Sequence, residues 1–386
     1  MFRGSIIKVS WLPGGPISVK EFSIEEVRPD GADQLNLQKE KQIAMAVVGL
    51  VFNLKKDLVA DEDDPPDAQA ELDGETTVLA IAQSLRRAGH EVILIDGDER
   101  AWEKLSHKNI DIVFNISEGL RGESRESQIP ALLEMLGIPY TGSGVLTLAV
   151  TLDKPTTKKI LAYHGLPTPR FVVVPPGQEP DDTGLRYPLF VKPAHEGSSM
   201  GVSPSSKVTN AAELKREVEK IHQLYRQEAL VEEYLPGREF TVGILGNESP
   251  TIFPIMEINF SQCPPEHNNV YSRQFKVEWD DERFFLCPAP LTLAEEEKIK
   301  DLALKAFRVL GCRDVARIDL RLDQEGNPYV LEINPLPGLA PGYSDLPRAA
   351  AVAGVSFDEL VQGILDHALD RYGLGYLKAK PQEMIA

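Results

Sequence analysis

Hydrophobic positions change their period at recognisable points along this chain. Ile43–Phe52 is a nearly continuous apolar run, the pattern of a strand buried on both faces of a parallel sheet. Thr76–Ala88 instead sets Val78, Leu79, Ile81, Ala82 and Leu85 on one side of a helix, and Gly89 follows as its terminator. Strands Glu91–Ile95 and Ile110–Ile116 come next, then a helix over Ser127–Leu136 closed by Gly137-Ile138-Pro139. Strand–helix–strand alternation of this kind predicts a right-handed parallel α/β unit.

From about residue 151 the texture changes. A helix is predicted over Thr156–His164, then short strands Arg170–Val174 and Leu189–Val191, a Gly/Ser-rich loop Glu196–Gly201, helix Ala211–Tyr225 and strand Ala229–Glu233. Strands Phe240–Leu245 and Thr251–Ile258 precede a long loop around 260–285. Helix Leu293–Leu310, strands Ala316–Leu322 and Pro328–Ile333, and an amphipathic helix Phe357–Tyr372 complete the pattern. Two stretches fit neither period. The acidic, Pro-containing loop Asp57–Asp73 is expected to be mobile. Residues 1–42, turned by Pro13-Gly14-Gly15-Pro16, read either as an extension ahead of the first domain or as an ordered β-rich arm.

Composition narrows the function classes. The 386 residues suffice for two or three domains, and 42% hydrophobic with 26% charged residues is ordinary for a soluble globular protein. A net charge of −18 argues against nucleic acid or an anionic membrane as partner. The three cysteines are scattered without CxxC spacing, which disfavours a disulfide framework or a zinc site and fits a reducing compartment. No apolar run approaches the ~20 residues that span a bilayer. Met1–Ser10 lacks a cationic start with a long apolar stretch, so the expected location is the cytoplasm.

Three patterns carry chemistry. Arg317 and Asp319 share a face of one predicted strand, and Glu332 and Asn334 share a face of the next. If those faces coincide, they offer the hard oxygen ligands that magnesium takes beside substrate phosphates. An ordinary cross-strand ion pair fits the same letters. Lys192 at a strand end, followed by Glu196-Gly197-Ser198-Ser199-Met200-Gly201, suits a lysine with a loop of backbone N–H groups over a triphosphate. A plain surface loop has the same composition. Leu230–Leu235, with Glu239 seven positions after Glu232, suits a strand whose backbone reads an adenine edge while a carboxylate takes the ribose. An acidic surface stretch is the alternative.

In that order, the three patterns resemble the ATP-grasp superfamily, and further motifs resemble the D-alanine–D-alanine ligases within it. These are Gly137-Ile138-Pro139-Tyr140-Thr141-Gly142-Ser143-Gly144, Asp153-Lys154, Lys192-Pro193, Glu196-Gly197-Ser198-Ser199, Glu239-Phe240-Thr241-Val242, Arg317-Ile318-Asp319, Glu332-Ile333-Asn334 and Pro337-Gly338. The resemblance covers roughly residues 43–375. It implies a mixed α/β and α+β fold: an extension (1–42), a Rossmann-like parallel α/β domain (43–150), a central ATP-grasp lobe (151–235), a C-terminal ATP-grasp lobe (236–375) and a tail (376–386). It implies ATP held between the lobes, two magnesium ions with manganese as substitute, amino-acid substrates, a homodimer by family analogy, and a place in peptidoglycan and cell-wall synthesis.

Carried over by position, the resemblance gives Lys154 and Lys192 to the phosphates, and Glu232, Glu233, Leu235 and Glu239 to adenine and ribose. Asp319, Glu332 and Asn334 go to the metal. Arg317 and the Gly338 N–H form an oxyanion hole, and Ser198 orients the first amino acid. The glutamate that binds the first substrate's ammonium is nominated as Glu75, with Glu71 close behind, and Ser344 receives the second substrate's carboxylate. The family's Lys-Tyr pair is replaced by Tyr271-Ser272-Arg273-Gln274-Phe275-Lys276, and the turn from Gly338 to Ser344 is one residue longer. The competing readings are an ATP-grasp ligase for a different acid or amine, and a nucleotide-binding protein without catalysis.

Overall fold

The structure is a computed structural model that describes residues 6–10, 18–22, 46–55, 64–278 and 283–379. The chain divides into two compact units, residues 1–43 and 44–386. In the first, β1 (Ile6–Ser10) and β2 (Ser18–Phe22) form an antiparallel hairpin, with Ile6 opposite Phe22 and Ser10 opposite Ser18. The start of the predicted strand at 43–45, loop residues 57–63 and the tail beyond 379 lie outside the described residues.

The second unit opens on the apolar run. β3 (Val47–Phe52) lies between β4 (Glu91–Asp96) and β5 (Ile112–Asn115) and is parallel to both, which explains why its residues are apolar on both faces. Helix α1 (Glu75–Arg87) covers one face through Val78, Ile81 and Leu85, while Leu79 turns to solvent. Helices α2 (Ala101–Ser106), too short to show a period, and α3 (Gln128–Leu136) cover the other through Leu105 and Leu133. Gly137, in the left-handed conformation, stops α3 and lets the Ile138 N–H bond back to Leu133. Helices α4 (Val145–Leu152) and α5 (Lys154–Tyr163) follow, the second capped by the Asp153 carboxylate on the Thr156 N–H at 2.8 Å.

Next come β6 (Phe171–Val174), β7 (Leu189–Pro193), β8 (Lys207–Val208), α6 (Ala211–Tyr225) and β9 (Ala229–Glu233). The strands form an antiparallel sheet in the order β6-β9-β7-β8, on which α6 packs through Leu214, Val218 and Ile221.

The last sheet is built from β10 (Glu239–Leu245), β11 (Thr251–Ile252), β12 (Met256–Ile258), β13 (Phe285–Leu286), β14 (Val315–Leu322) and β15 (Pro328–Asn334), in the order β13-β12-β10-β14-β15 with β11 beside β10. The single strand expected over Thr251–Ile258 is thus two, broken at Pro254, which has no N–H for a ladder. Helix α7 (Arg273–Glu278) and β13 fall in the stretch expected to be loop. Helix α8 (Leu293–Val309), started by a Thr292/Glu295 capping box, covers the back of this sheet through Ile299, Ala303 and Phe307. Helices α9 (Asp345–Val352) and α10 (Phe357–Arg371) return to the first sheet, where Leu360, Ile364 and Leu365 join the core of α1 and β3.

One buried carboxylate ties this return together. Asp314, fully buried, accepts hydrogen bonds from the Gly142 N–H (2.8 Å), Asn247 Nδ2 (2.9 Å) and Arg371 Nη2 (2.6 Å).

Candidate active site

Strands β14 and β15 set the centre. Their register puts Asp319 opposite Glu332 and Arg317 opposite Asn334, while the alternate residues Ile318 and Ile333 point into the core under α8. The four polar residues therefore share one face. Arg317 grips Asp319 through Nε (3.0 Å) and Nη2 (2.9 Å), and Thr241 Oγ1 (2.6 Å) and Asn334 Nδ2 (3.0 Å) donate to the same carboxylate. Glu332 faces Lys154 Nζ at 3.7 Å. Burial alone would raise the pKa of Glu332, but Lys154, Lys192, Arg317 and Lys276 hold it down at about 2. Glu332 therefore stays ionised at neutral pH.

The antiparallel pair β7 and β9 brings in the lysines. Lys192 Nζ and Lys158 Nζ each lie 2.8 Å from one oxygen of Glu232. Burial pushes Lys158 down to about 8, while Lys192, equally enclosed, is held above its ordinary value by Glu232. The Glu232 carboxylate is thus clamped between two lysines. Glu233 ties its carboxylate to Arg186 (3.1 Å), and Glu239 accepts from Arg321 Nη1 (2.6 Å). A cavity runs over these groups. Phe190, Met200, Val202, Val270 and Leu331 form its apolar walls, Glu233 and Leu235 lie on its rim, and Lys154, Lys192, Glu239, Asp319 and Glu332 mark its polar end. An apolar slot ending in lysines and carboxylates fits a flat base with a phosphate chain.

The Glu196–Gly201 loop closes over that end. Ser198 and Ser199 adopt left-handed conformations (φ 47° and 59°), and Gly201 has no room for a Cβ, which would collide with Pro193. Lys154 Nζ donates to the Glu196 carbonyl, the Gly197 N–H to Glu71, and the Gly201 N–H to Asp67 at 2.9 Å. The described part of the acidic loop is therefore anchored rather than mobile.

Two further cavities meet at Ser198, Arg317 and Gly338. One also takes in Glu71, Asp73, Glu118, Glu126, Asn334 and Glu332, and the other Tyr271, Ser344, Asp345 and Arg348. Glu71 reaches the first of these. Glu75 does not: it sits exposed in the first turn of α1, which points it at solvent. Ser344 Oγ accepts from the Ala340 N–H (3.1 Å) and so shapes the turn after Gly338.

Lys276 was not picked out individually from the sequence, yet it borders all three cavities. Its Nζ lies 4.6 Å over the ring of Tyr271, and burial beside Arg317 lowers its pKa. The missing Lys-Tyr neighbours are replaced by a lysine and a tyrosine that meet in space, because α7 folds Lys276 back over Tyr271. Lys158, Glu118 and Glu126 likewise fall outside the sequence motifs.

The family model described as D-ala D-ala ligase C-terminus matches residues 160–366. A D-alanine–D-alanine ligase of Azoarcus sp. is 40% identical over 290 residues, spanning 74% of this chain and 89% of that protein. The chain belongs to the D-alanine–D-alanine ligase family. An uncharacterized protein of Sinorhizobium fredii is 38% identical over 301 residues, spanning 76% of this chain and 87% of that protein. The crystal structure of a D-alanine–D-alanine ligase from Bacillus anthracis complexed with ATP superposes with a TM-score of 0.66 at 24% identity, covering 85% of this chain and 99% of that one. The fold is accordingly ATP-grasp, and membership in this family makes the chain an ATP-dependent, ADP-forming ligase that uses a divalent metal.

Proposed function

We propose that the enzyme uses ATP to activate the carboxylate of one amino acid and joins it to the amine of a second. The observation that carries this reading is the cross-strand set of Arg317, Asp319, Glu332 and Asn334, of which Arg317, Glu332 and Asn334 line one cavity together with Gly338. A protein that only bound nucleotide would need no guanidinium beside the acceptor cavity.

The residues fit a magnesium site. Two carboxylates and an amide offer hard oxygens, Glu332 is held ionised, and phosphate oxygens would complete the shell. Among the described residues no group of three or more His, Cys, Asp or Glu is placed to hold a metal by itself, which agrees with a cation that depends on its substrate. Asp319, Glu332 and Asn334 would hold the magnesium, which when bound would neutralise charge on the phosphate oxygens.

Lys192 and Lys154 meet the phosphates, and the closed Gly197–Gly201 loop excludes water. One carboxylate oxygen of the first amino acid attacks the γ-phosphorus, ADP departs, and a mixed anhydride remains. The second amino acid's neutral amine then attacks the carbonyl carbon. Arg317 and the Gly338 N–H stabilise the tetrahedral oxyanion, which collapses to release the amide and phosphate, the amine's proton leaving with the phosphate. Ser344 and Gly338, which line one cavity with Arg317, would receive the second amino acid's carboxylate. Among the described residues no helix is long and apolar enough to cross a membrane, and we place the reaction in the cytoplasm, with the homodimer of family analogy as the working assembly.

The test is ADP release by the purified protein with ATP and magnesium, across pairs of amino acids with D-alanine as reference. ADP should appear only with an amino acid present, and mass spectrometry should find the dipeptide. ATP turnover indifferent to every amino acid would end the ligase reading.

A further inference from the structure

The cavity that meets Arg317 and Gly338 has a second end that the reaction as described does not use. Glu71, Asp73, Glu118 and Glu126 line it. Glu71 is already matched, taking Arg125 Nη2 at 2.5 Å and the Gly197 N–H. Arg125 is in turn committed to Glu71, Glu196 and the His195 carbonyl. Lys154 is committed to the Glu196 carbonyl and Glu332. Among the described residues the carboxylates of Asp73, Glu118 and Glu126 have no hydrogen-bond or salt-bridge partner, although Glu126 is only 9% exposed.

A protein does not ordinarily bury carboxylates without a counter-charge. The cost is visible here: burial, with repulsion from Glu126, Glu71 and Asp73, outweighs the attraction of Arg125 and raises Glu118 well above the usual carboxylate range, while burial and Glu71 raise Glu126 to about 8 against the pull of Arg125 and Lys154. Several acids lining one cavity suit an organic cation with more than one ammonium. The α-ammonium of an ordinary amino acid meets one carboxylate and leaves the rest unmatched.

We propose that the amino acid activated by this enzyme is a diamino acid. Its carboxylate points to Arg317 and Gly338, its α-ammonium meets Glu71 or Asp73, and its second ammonium lies against Glu118 and Glu126. This rests on the ligase reading above.

The test compares kcat/KM for ADP release with 2,4-diaminobutyrate, ornithine and lysine, in both configurations, against the neutral isosteres norvaline, norleucine and 2-aminoheptanoate. D-alanine is supplied throughout as the amine, and products are identified by mass spectrometry. At least one diamino acid should exceed its isostere by about tenfold or more, because the isostere leaves buried carboxylates unpaired. Glu126→Gln and Glu118→Gln, each checked for an unchanged melting temperature, should shrink that ratio towards one. Isosteres used as well as diamino acids, or a ratio unmoved in both folded variants, would overturn the diamino assignment and leave the ligase reading standing. Absence of ADP with every acid would overturn both.

Discussion

Replacing Glu232 by Gln isolates the strongest electrostatic feature of the nucleotide site. The side chains of Lys158, Glu232 and Lys192 are 1%, 4% and 9% exposed, and both lysines lie 2.8 Å from the one carboxylate. Removing the partner of buried charges costs about 3–5 kcal/mol, most of it the penalty for cations left unmatched. Lys158 softens the blow, because burial already holds it at about 8 and a small further drop lets it deprotonate at neutral pH. We therefore expect a loss near 3 kcal/mol, at the lower end of that range. The pH dependence has a definite sign. A lysine whose folded pKa lies below its unfolded value is bound by more protons when unfolded, so stability rises with pH through that interval. Glu232→Gln lowers Lys158 further and extends the interval downward, so the variant's deficit should shrink as pH rises towards about 8. Adding Lys158→Met should recover at least about 1 kcal/mol, since it removes the cost of holding that buried lysine either unmatched or stripped of its proton. Urea titrations followed by fluorescence, with and without each substitution, measure all three. A loss under about 1 kcal/mol at neutral pH, or a deficit independent of pH, would refute the clamp.

Lys192→Ala should raise the KM for ATP and lower kcat together, since the lysine meets phosphate in ground and transition states alike; wild-type kinetics would make the Glu196–Gly201 loop ornamental. Asp319→Asn or Glu332→Gln should abolish turnover with a native circular dichroism spectrum, and an unchanged rate at saturating magnesium would remove the metal platform. Arg317→Met should cost about 10²–10³ in turnover, the usual effect of losing one oxyanion donor, whereas a loss under about tenfold would mean Arg317 only holds Asp319. Asp314→Ala should destabilise by about 3–5 kcal/mol in urea because Arg371 loses its buried partner, and a neutral effect would show that the joint between α10 and the Gly142 turn is not held there.

What the sequence revealed followed from local periodicity. The run Ile43–Phe52 marked the central parallel strand because both faces had to be apolar, and alternation along Arg317–Asp319 and Glu332–Asn334 marked one polar face on each of two neighbouring strands. Whether those faces coincide is a matter of register, which a shift of one residue would reverse, and only the paired strands decide it. Glu71 and Glu75 show why the rest was hidden. Glu71 lies at the end of the acidic loop and Glu75 just after it, and nothing local separates them. Glu71 is selected by Arg125 and the Gly197 N–H, partners 54 and 126 residues away. Lys158 did carry a signal: it lies four residues after Lys154 on α5, hence on the same helix face. Glu118 and Glu126 carried none, since isolated acids are unremarkable in a chain of net charge −18.

The central claim is that ATP activates a carboxylate, and isotope transfer tests it most directly. The acid substrate is supplied with both carboxylate oxygens as oxygen-18, turned over with ATP and the amine, and the released phosphate is weighed by mass spectrometry. Because one carboxylate oxygen becomes the bridge to phosphorus and leaves with it, each phosphate should carry one oxygen-18 and the amide product should retain the other. Unlabelled phosphate would mean that water, not the carboxylate, attacks ATP, and would contradict the account at its root.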